Sequence, residues 1–288
     1  MRRRVGLLSA AAMTAFAANS LLCRAALGGG LVDATTFTSL RLVSGALALA
    51  MLAPRGGRAG GGHGSWASAA ALFGYALAFS LAYLRIPAAV GALLLFGAVQ
   101  ATMIGWALVS GERPRPLEWL GLVTALAGLV TLTRPGLAAP DPLGCGLMVA
   151  AGACWGVYSL RGRSSGDPLG ANAAHFSRAV PLALAASLVG LGLGAPRLSP
   201  AGVLLAVASG ALASGVGYAL WFAALQGLTA TQAAIVQLTV PPLAAAGAVA
   251  FLGERLSLRL AVAGALILGG VGLVVAAGLR GAKTPASS

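Results

Sequence analysis

Charged residues are scarce in this 288-residue chain, and acidic residues are the scarcest of them. Charged residues make up 9% of the sequence, whereas soluble domains average about 25%. Hydrophobic residues make up 58%, and the mean hydropathy is +0.90. This composition excludes an ordinary soluble globular protein and indicates a polytopic membrane protein.

Histidine and cysteine, which are common ligands of transition metals, are also rare, with two histidines and three cysteines in the chain. Cys23, Cys145 and Cys154 lie in or beside apolar segments and lack the spacing of metal ligands. We interpret them as small packing residues. The sequence therefore predicts neither a metal site nor a cofactor.

The motifs of intramembrane enzymes are missing as well. The sequence contains no H-E-x-x-H and no pair of acids inside an apolar segment. Ser214-Gly215 follows Leu212-Ala213, without the leading glycine that a serine-protease motif would have. The sequence therefore predicts no catalytic residues.

Basic residues outnumber acidic ones and give a net charge of +13. Binding to nucleic acid would favour one basic patch, but most of these residues lie in short connections between apolar runs. The basic residues therefore indicate membrane topology, and we expect no nucleic-acid partner.

Apolar runs of about 20 residues, the length that crosses a bilayer, recur along the whole chain. The sequence predicts ten of them, at 5–26, 34–53, 66–84, 87–109, 117–133, 143–160, 171–193, 201–224, 229–252 and 260–279. The fifth and sixth are the shortest of the ten. We predict an all-α membrane protein with ten transmembrane helices.

The distribution of basic residues predicts the orientation of these spans. With the amino terminus in the cytoplasm, eleven Arg and Lys residues fall on that side and six on the other. Because basic connections tend to stay inside, we predict an integral protein of the cytoplasmic (inner) membrane with both termini cytoplasmic. The first 20 or so residues have the outline of a signal peptide, but we expect them to be retained because the first span has a counterpart in the second half.

The chain contains an internal duplication. The pattern G-x5-G-E-R occurs at Gly105 to Arg113 and again, 142 residues later, at Gly247 to Arg255. The segment 15–21 resembles 154–160, and Arg41 corresponds to Arg178. We predict one five-helix repeat at 1–137, a second at 138–280, and a disordered tail at 281–288. Because five is an odd number, the second repeat is inverted, as in many secondary transporters with a midplane site.

These features together resemble the EamA-type members of the drug/metabolite transporter superfamily. The features that carry this resemblance are the two five-helix halves, the aromatic-glycine pair Trp155-Gly156, the paired arginines and the two Gly-Glu-Arg ends. The resemblance covers nearly the whole chain, although Phe16-Ala17 replaces the aromatic-glycine pair in the first half. It implies a central cavity lined mainly by helices 1, 3, 4, 6, 8 and 9, with helices 5 and 10 at the periphery. It leaves the substrate open, because the superfamily transports amino acids, sugars, nucleotide sugars, drugs and other metabolites.

Ionisable groups inside the membrane are the first candidates for function. All six acids fall in connections or at helix ends, so the mid-membrane carboxylate of a typical proton-coupled carrier is missing. Arg41 and Arg178 lie about seven residues, roughly 10 Å, inside their spans. They either snorkel or make structural bonds, or they recognise a substrate carboxylate. His175, one turn before Arg178, is a candidate proton sensor.

Uncharged polar and aromatic side chains supply the other candidates for substrate binding. The polar groups, which either form hydrogen bonds between helices or line the cavity, are Asn19, Gln100, Gln232 and Gln237. The aromatic groups, which either pack in the bundle or form the wall of the cavity, are Tyr75, Trp155, Tyr158 and Trp221. Pro181 and the pair Pro241-Pro242 interrupt the seventh and ninth spans. These prolines are either gating hinges or bends that shape the bundle.

The neutral polar groups, the aromatic side chains and the two arginines suit a zwitterion with an apolar side chain. We therefore predict a secondary transporter that exports neutral or aromatic amino acids and related metabolites by alternating access, as a uniporter. The alternative is an exporter of drugs or other metabolites, with or without proton coupling. An intramembrane enzyme or a structural subunit is the weaker hypothesis. The expected partners are a small-molecule substrate and the lipid bilayer, with a monomer favoured over a homodimer.

Overall fold

The computed structural model describes residues 2–52, 64–109, 116–133, 139–162, 167–193, 197–227, 236–237 and 239–281. The regular secondary structure of these residues is helical, apart from one isolated bridge between Val32 and Leu198. The helices are α1 (Arg2–Gly28), α2 (Ala34–Leu52), α3 (Trp66–Tyr83), α4 (Ala88–Val109), α5 (Pro116–Thr133), α6 (Pro142–Gly162), α7 (Pro168–Leu193), α8 (Pro200–Leu225), α9 (Val240–Leu252) and α10 (Leu258–Gly281).

The observed helices agree with the predicted spans to within a few residues at most ends. The exception is the ninth, whose described helix begins at Val240, while residues 228–235 and 238 lie outside the described part of the chain. Helices α1, α2, α3, α6, α7 and α8 are long and apolar enough to cross a membrane, and α4, α9 and α10 contain shorter apolar stretches. The all-α membrane class is therefore confirmed.

The bundle buries polar side chains and exposes large apolar ones. Arg41, Ser80 and Ser214 are buried, whereas Val109 and Phe251 are more than four-fifths exposed. A soluble protein has the opposite arrangement, because apolar surface is costly in water. The exposed apolar side chains suit a hydrocarbon solvent, which agrees with an integral membrane protein.

The described parts of five connections meet at one end of the bundle, which we call the Glu254 end. They are the connections that follow α1, α3, α5, α7 and α9. The amide of Asp33 donates to the carbonyl of Arg197 (3.1 Å), Arg85 pairs with Asp141 (3.6 Å), and Glu254 binds the amino end of α4. The helices therefore alternate in direction, so that α1 runs toward the Glu254 end and α6 runs away from it.

Each acidic side chain that the structure describes binds the amino end of a helix. These side chains accept backbone N–H bonds at α2 (Asp33 from Thr36, 2.9 Å), α6 (Asp141 from Gly144, 2.6 Å), α7 (Asp167 from Gly170, 3.0 Å) and α4 (Glu254 from Ala88, 2.7 Å). Carboxylates are favoured there because they satisfy unpaired N–H groups and oppose the helix dipole. The predicted position of the acids at helix ends is confirmed for these four, while Glu112 and the side chain of Glu118 lie outside the described residues.

Candidate functional site

A small cavity lies between helices of both halves of the chain. Its lining comes from α1, α3, α4, α6 and α8, and consists of Phe16, Asn19, Ser20, Tyr75, Phe79, Leu95, Phe96, Trp155 and Tyr218. These helices are five of the six that the family resemblance implies. The cavity volume is about 10 Å³, which is close to the minimum that holds one water molecule. An amino acid does not fit in this conformation, so its entry requires the helices to separate.

The hydroxyl of Tyr75 is the centre of a buried hydrogen-bond network beside the cavity. It accepts a bond from Arg41 Nη2 (3.0 Å) and another from Asn19 Nδ2 (3.2 Å). Asn19 Oδ1 in turn accepts from the hydroxyl of Ser209 (2.6 Å). These bonds join α1, α2, α3 and α8, and therefore both halves of the chain.

Arg41 lies within this network and not at the membrane surface. Its side chain is 1% exposed, and its guanidinium donates from Nη2 to Tyr218 (3.0 Å) and from Nε to Ser214 (3.0 Å). The guanidinium carbon also lies 5.0 Å from the ring centroid of Tyr75 and 5.2 Å from that of Phe79, within the range of cation–π attraction. The snorkelling interpretation of Arg41 is therefore wrong for this conformation.

A π-helical segment in α8, Ala208–Val216, places Ser209 and Ser214 in the same network. A π-helix pairs residues five apart, and the triplet Ala-Ser-Gly occurs at 208–210 and again at 213–215. Gly210 lets α8 approach α2 closely, because a β-carbon there would overlap Ser44 and the carbonyl of Arg41. This segment was not predicted from the sequence, although the five-residue repeat was its visible signal.

Aromatic rings form the wall of the cavity. Trp155 lies 5.0 Å from Tyr75, 4.7 Å from Tyr218 and 5.7 Å from Phe16, measured between ring centroids. Trp221 packs behind Phe16 at 6.0 Å and does not line the cavity. Offset and edge-to-face contacts of this kind stabilise aromatic clusters. Of the aromatic residues proposed for the wall, Trp155 and Tyr75 line the cavity, and their role in substrate binding stays a prediction.

At the Glu254 end, a layer of side chains covers the cavity. This layer lies one helical turn beyond the residues that line the cavity. Tyr83 is fully buried, and its ring lies 4.6 Å from that of Phe79. Arg24 donates from Nη1 to the carbonyl of Tyr83 (2.8 Å), and its Nε lies 3.8 Å from a carboxylate oxygen of Glu254. This layer joins the ends of α1 and α3 to the α9–α10 connection and closes the cavity on that side.

The opposite side is closed by a second aromatic layer, which contains further predicted residues. Tyr158 is buried and donates to Asn172 Oδ1 (2.6 Å). The rings of His175 and Phe222 lie 5.5 Å and 6.3 Å from that of Tyr158. Tyr158 and His175 therefore belong to a cluster that adjoins the cavity through Trp155 (5.7 Å) without lining it.

The other predicted polar residues lie elsewhere. Gln100 and Gln237 are buried but do not line the cavity, and Gln232 lies outside the described residues. Arg178 is partly buried, with its guanidinium against Gly64 at the amino end of α3. The two arginines that correspond in sequence thus have different surroundings in this conformation.

The predicted prolines differ in their positions. Pro181 lies inside α7, as expected for a residue that interrupts a span. Pro241 and Pro242 lie in the first turn of the described helix α9, where the missing N–H group is least costly. Before the pair, residues 236–237 are helical and Thr239 forms a turn, and the hinge role of all three prolines stays a prediction.

Tyr218 is the main site residue that the sequence analysis did not select. It lines the cavity and shares the Nη2 atom of Arg41 with Tyr75. A repeated tetrapeptide was the signal for it, because Gly-Tyr-Ala-Leu occurs at 74–77 and again at 217–220. Among the described residues, no group of three or more His, Cys, Asp or Glu side chains is placed to hold a metal ion.

Comparison with known proteins identifies the family. A model of the EamA-like transporter family matches residues 142–276. Uncharacterized protein PA1977 of Pseudomonas aeruginosa is 52% identical over 275 residues, which are 95% of each chain. Threonine/homoserine exporter RhtA of Escherichia coli strain K12 is 32% identical over 175 residues, which are 58% of this chain and 57% of RhtA.

A solved structure described only as "Crystal structure of protein" has the same fold, with a TM-score of 0.65 and 22% identity. The match covers 93% of this chain and 97% of that one. At this level of identity the likeness shows a shared fold. The chain belongs to the EamA-like transporters of the drug/metabolite transporter superfamily, and it is a membrane transporter.

Proposed function

We propose that this protein is a secondary transporter that exports neutral or aromatic amino acids and related small metabolites by alternating access. It lies in the cytoplasmic membrane with both termini inside, and it needs no proton gradient. The observation that carries this proposal is the buried hydrogen-bond network beside an aromatic-walled cavity between the two halves. RhtA, which is named as a threonine/homoserine exporter, supports small neutral amino acids as the first substrates to test.

The helix packing supports two inverted five-helix repeats. The two repeats would pair α1 with α6, α2 with α7, α3 with α8, α4 with α9 and α5 with α10. If each helix is replaced by its counterpart, the main helix–helix contacts become other contacts that the structure also contains. The contact of α3 with α6 becomes that of α8 with α1, and the contact of α4 with α6 becomes that of α9 with α1. The pairs α2–α7, α4–α9 and α5–α10 are in contact and map onto themselves, as expected beside a two-fold axis.

Individual residues near the cavity support the same relation. Residues close to a two-fold axis contact their own counterparts, because the axis brings equivalent positions together. Phe16 corresponds to Trp155, and their rings are 5.7 Å apart. Tyr75 corresponds to Tyr218, and both hydroxyls lie 3.0 Å from the same nitrogen of Arg41. We infer that the axis passes beside the cavity, which then belongs equally to both halves.

The lining of the cavity supports uniport. Its polar groups are uncharged, and the described carboxylates are engaged at helix ends. A carboxylate that binds and releases a proton during transport would need a place near the substrate path. The two layers around Tyr83 and Tyr158 then act as gates that open in turn, each by separation of aromatic side chains.

Counterflow in liposomes that contain the purified protein tests this proposal. The panel consists of radiolabelled threonine, homoserine, phenylalanine, tryptophan and glutamate, with and without a pH gradient and with protein-free liposomes as the control. We expect saturable counterflow of neutral amino acids at equal pH on both sides. Counterflow only with a pH gradient would contradict uniport, and movement of drugs or sugars but no amino acid would replace the substrate assignment with the alternative exporter.

A further inference from the structure

Arg41 is a buried cation with unused hydrogen-bonding capacity. A guanidinium has five N–H donors. Nε and Nη2 bind Ser214, Tyr75 and Tyr218, whereas Nη1 is buried and has no hydrogen-bond partner. Packing against two aromatic rings stabilises the charge in part, but it leaves the Nη1 donors unsatisfied.

No carboxylate among the described residues neutralises this charge. The described ion pairs are Arg24 with Glu254 and Arg85 with Asp141, both at the Glu254 end. An unpaired charge inside a protein is costly unless an opposite charge or strong hydrogen bonds compensate it. The site is therefore electrostatically suited to receive an anionic group.

The cavity lies next to this charge. Tyr75 and Tyr218, which both accept bonds from Arg41, line the cavity, as does Asn19. A tyrosine hydroxyl has one proton to donate. The oxygen of Tyr75 already accepts bonds from Arg41 and Asn19, so its own proton is available to a further acceptor.

We propose that Arg41 is the residue that recognises the carboxylate of the transported amino acid. When the helices separate enough to admit substrate, Nη1 and the hydroxyl of Tyr75 donate to the two carboxylate oxygens. Charge-assisted bonds of this kind are about twice as strong as neutral ones. The aromatic wall around Trp155 receives the side chain. This inference rests on the proposed function and adds the chemical group by which the substrate is recognised.

The test uses counterflow in liposomes and a pair of competitors, phenylalanine and phenylalaninol, in which a hydroxymethyl group replaces the carboxylate. Threonine and threoninol serve instead if threonine gives the larger counterflow. For the natural chain we expect the alcohol to compete about ten- to hundredfold more weakly, as for the loss of hydrogen bonds to a charged group. In Arg41→Gln we expect this preference to fall to about twofold, mainly through weaker binding of the amino acid.

Arg85→Gln is the matched control, since it removes the same charge from an arginine that is nearly half exposed at the Glu254 end. It should keep the full preference for the carboxylate. If Arg41→Gln fails to fold, competition by the amino acid and its alcohol in the natural chain still tests whether the carboxylate is recognised. Equal competition by acid and alcohol would overturn the inference while leaving amino-acid transport intact.

Absence of counterflow by any amino acid would instead overturn the proposed function. A second arm replaces chloride by sulfate on both sides of the membrane. Counterflow that stops without chloride would mean that an inorganic anion neutralises Arg41, and it would overturn the assignment to the substrate. We expect the same rate in both salts.

Discussion

Removal of the Glu254 carboxylate is expected to loosen the layer that closes one side of the cavity. The carboxylate accepts from the amides of Ala88 (2.7 Å) and Ala89 (3.2 Å) at the amino end of α4, and it lies 3.8 Å from Nε of Arg24. Glu254→Ala removes all three interactions. Glu254→Gln removes the charge and keeps one acceptor, so its effect should have the same direction and a smaller size.

The expected magnitude follows from the two kinds of interaction. Loss of a helix cap costs about 0.5–2 kcal/mol, and loss of a negative charge at a helix amino end costs about 0.3–1 kcal/mol. The ion pair with Arg24 is partly exposed and adds at most about 1 kcal/mol. Glu254→Ala should therefore destabilise the closed layer by about 1–3 kcal/mol, which corresponds to a rise of about 5- to 150-fold in the open population.

Labelling of Cys23 by a maleimide measures this opening. Cys23 is fully buried and precedes Arg24, so we expect its reaction to report opening of the Glu254 end. Cys145 and Cys154 are first replaced by alanine, so that one thiol remains. Arg255→Ala is the control, because Arg255 belongs to the same Gly-Glu-Arg motif and is exposed. We expect faster labelling in Glu254→Ala than in Arg255→Ala, with Glu254→Gln between them.

Two results would refute the reasoning. Equal labelling rates in Glu254→Ala and Arg255→Ala would show that the cap does not hold the end closed. A fall in Tm far beyond the few degrees that about 1–3 kcal/mol produces in a chain of this size would mean that labelling follows global unfolding and not local opening.

Two further predictions concern packing and the network. Gly152→Ala should destabilise the protein by about 1–3 kcal/mol, because a β-carbon there would lie 2.5 Å from the carbonyl oxygen of Leu95. Gly146→Ala lies in the same helix, and a β-carbon there would have no atom within 4 Å, so this change should be neutral or slightly stabilising. The thermal unfolding temperatures of the two variants test this difference. Asn19→Ala should weaken counterflow and lower stability by about 1–3 kcal/mol, because it leaves the buried hydroxyls of Tyr75 and Ser209 without that partner. Counterflow unchanged in Asn19→Ala would contradict the role of the network.

The helices were predictable from the sequence because each apolar run is a local property. Runs between basic and proline-rich breaks located nine of the ten described helices to within a few residues, and α9 differs because its described part begins beside Pro241. The acids at helix ends were also visible in the sequence. Their role as caps became clear only from the structure, since the partners of Glu254 lie 165 and 166 residues earlier in the chain.

The site was only partly predictable, because it is built from long-range contacts. Asn19, Tyr75, Trp155 and Arg41 were selected, but the bond from Arg41 to Tyr218 crosses 177 residues and no local pattern reveals it. Nor does the sequence tell that Arg178 lies against Gly64 while Arg41 binds two residues that line the cavity. Two residues that correspond in sequence need not have equivalent surroundings in one conformation, whereas sequence correspondence treats them alike.

The central claim is that substrate passes through the cavity beside Trp155. Counterflow by Trp155→Ala, compared with Trp106→Ala, tests it most directly. Trp155 is buried in the cavity wall, whereas Trp106 is 60% exposed on the outside of the bundle. We expect Trp155→Ala to change the affinity for neutral and aromatic amino acids by about tenfold or more, as for the loss of a buried aromatic contact of about 1.4 kcal/mol, and Trp106→Ala to match the natural chain. Equal counterflow in both variants would contradict passage through this cavity.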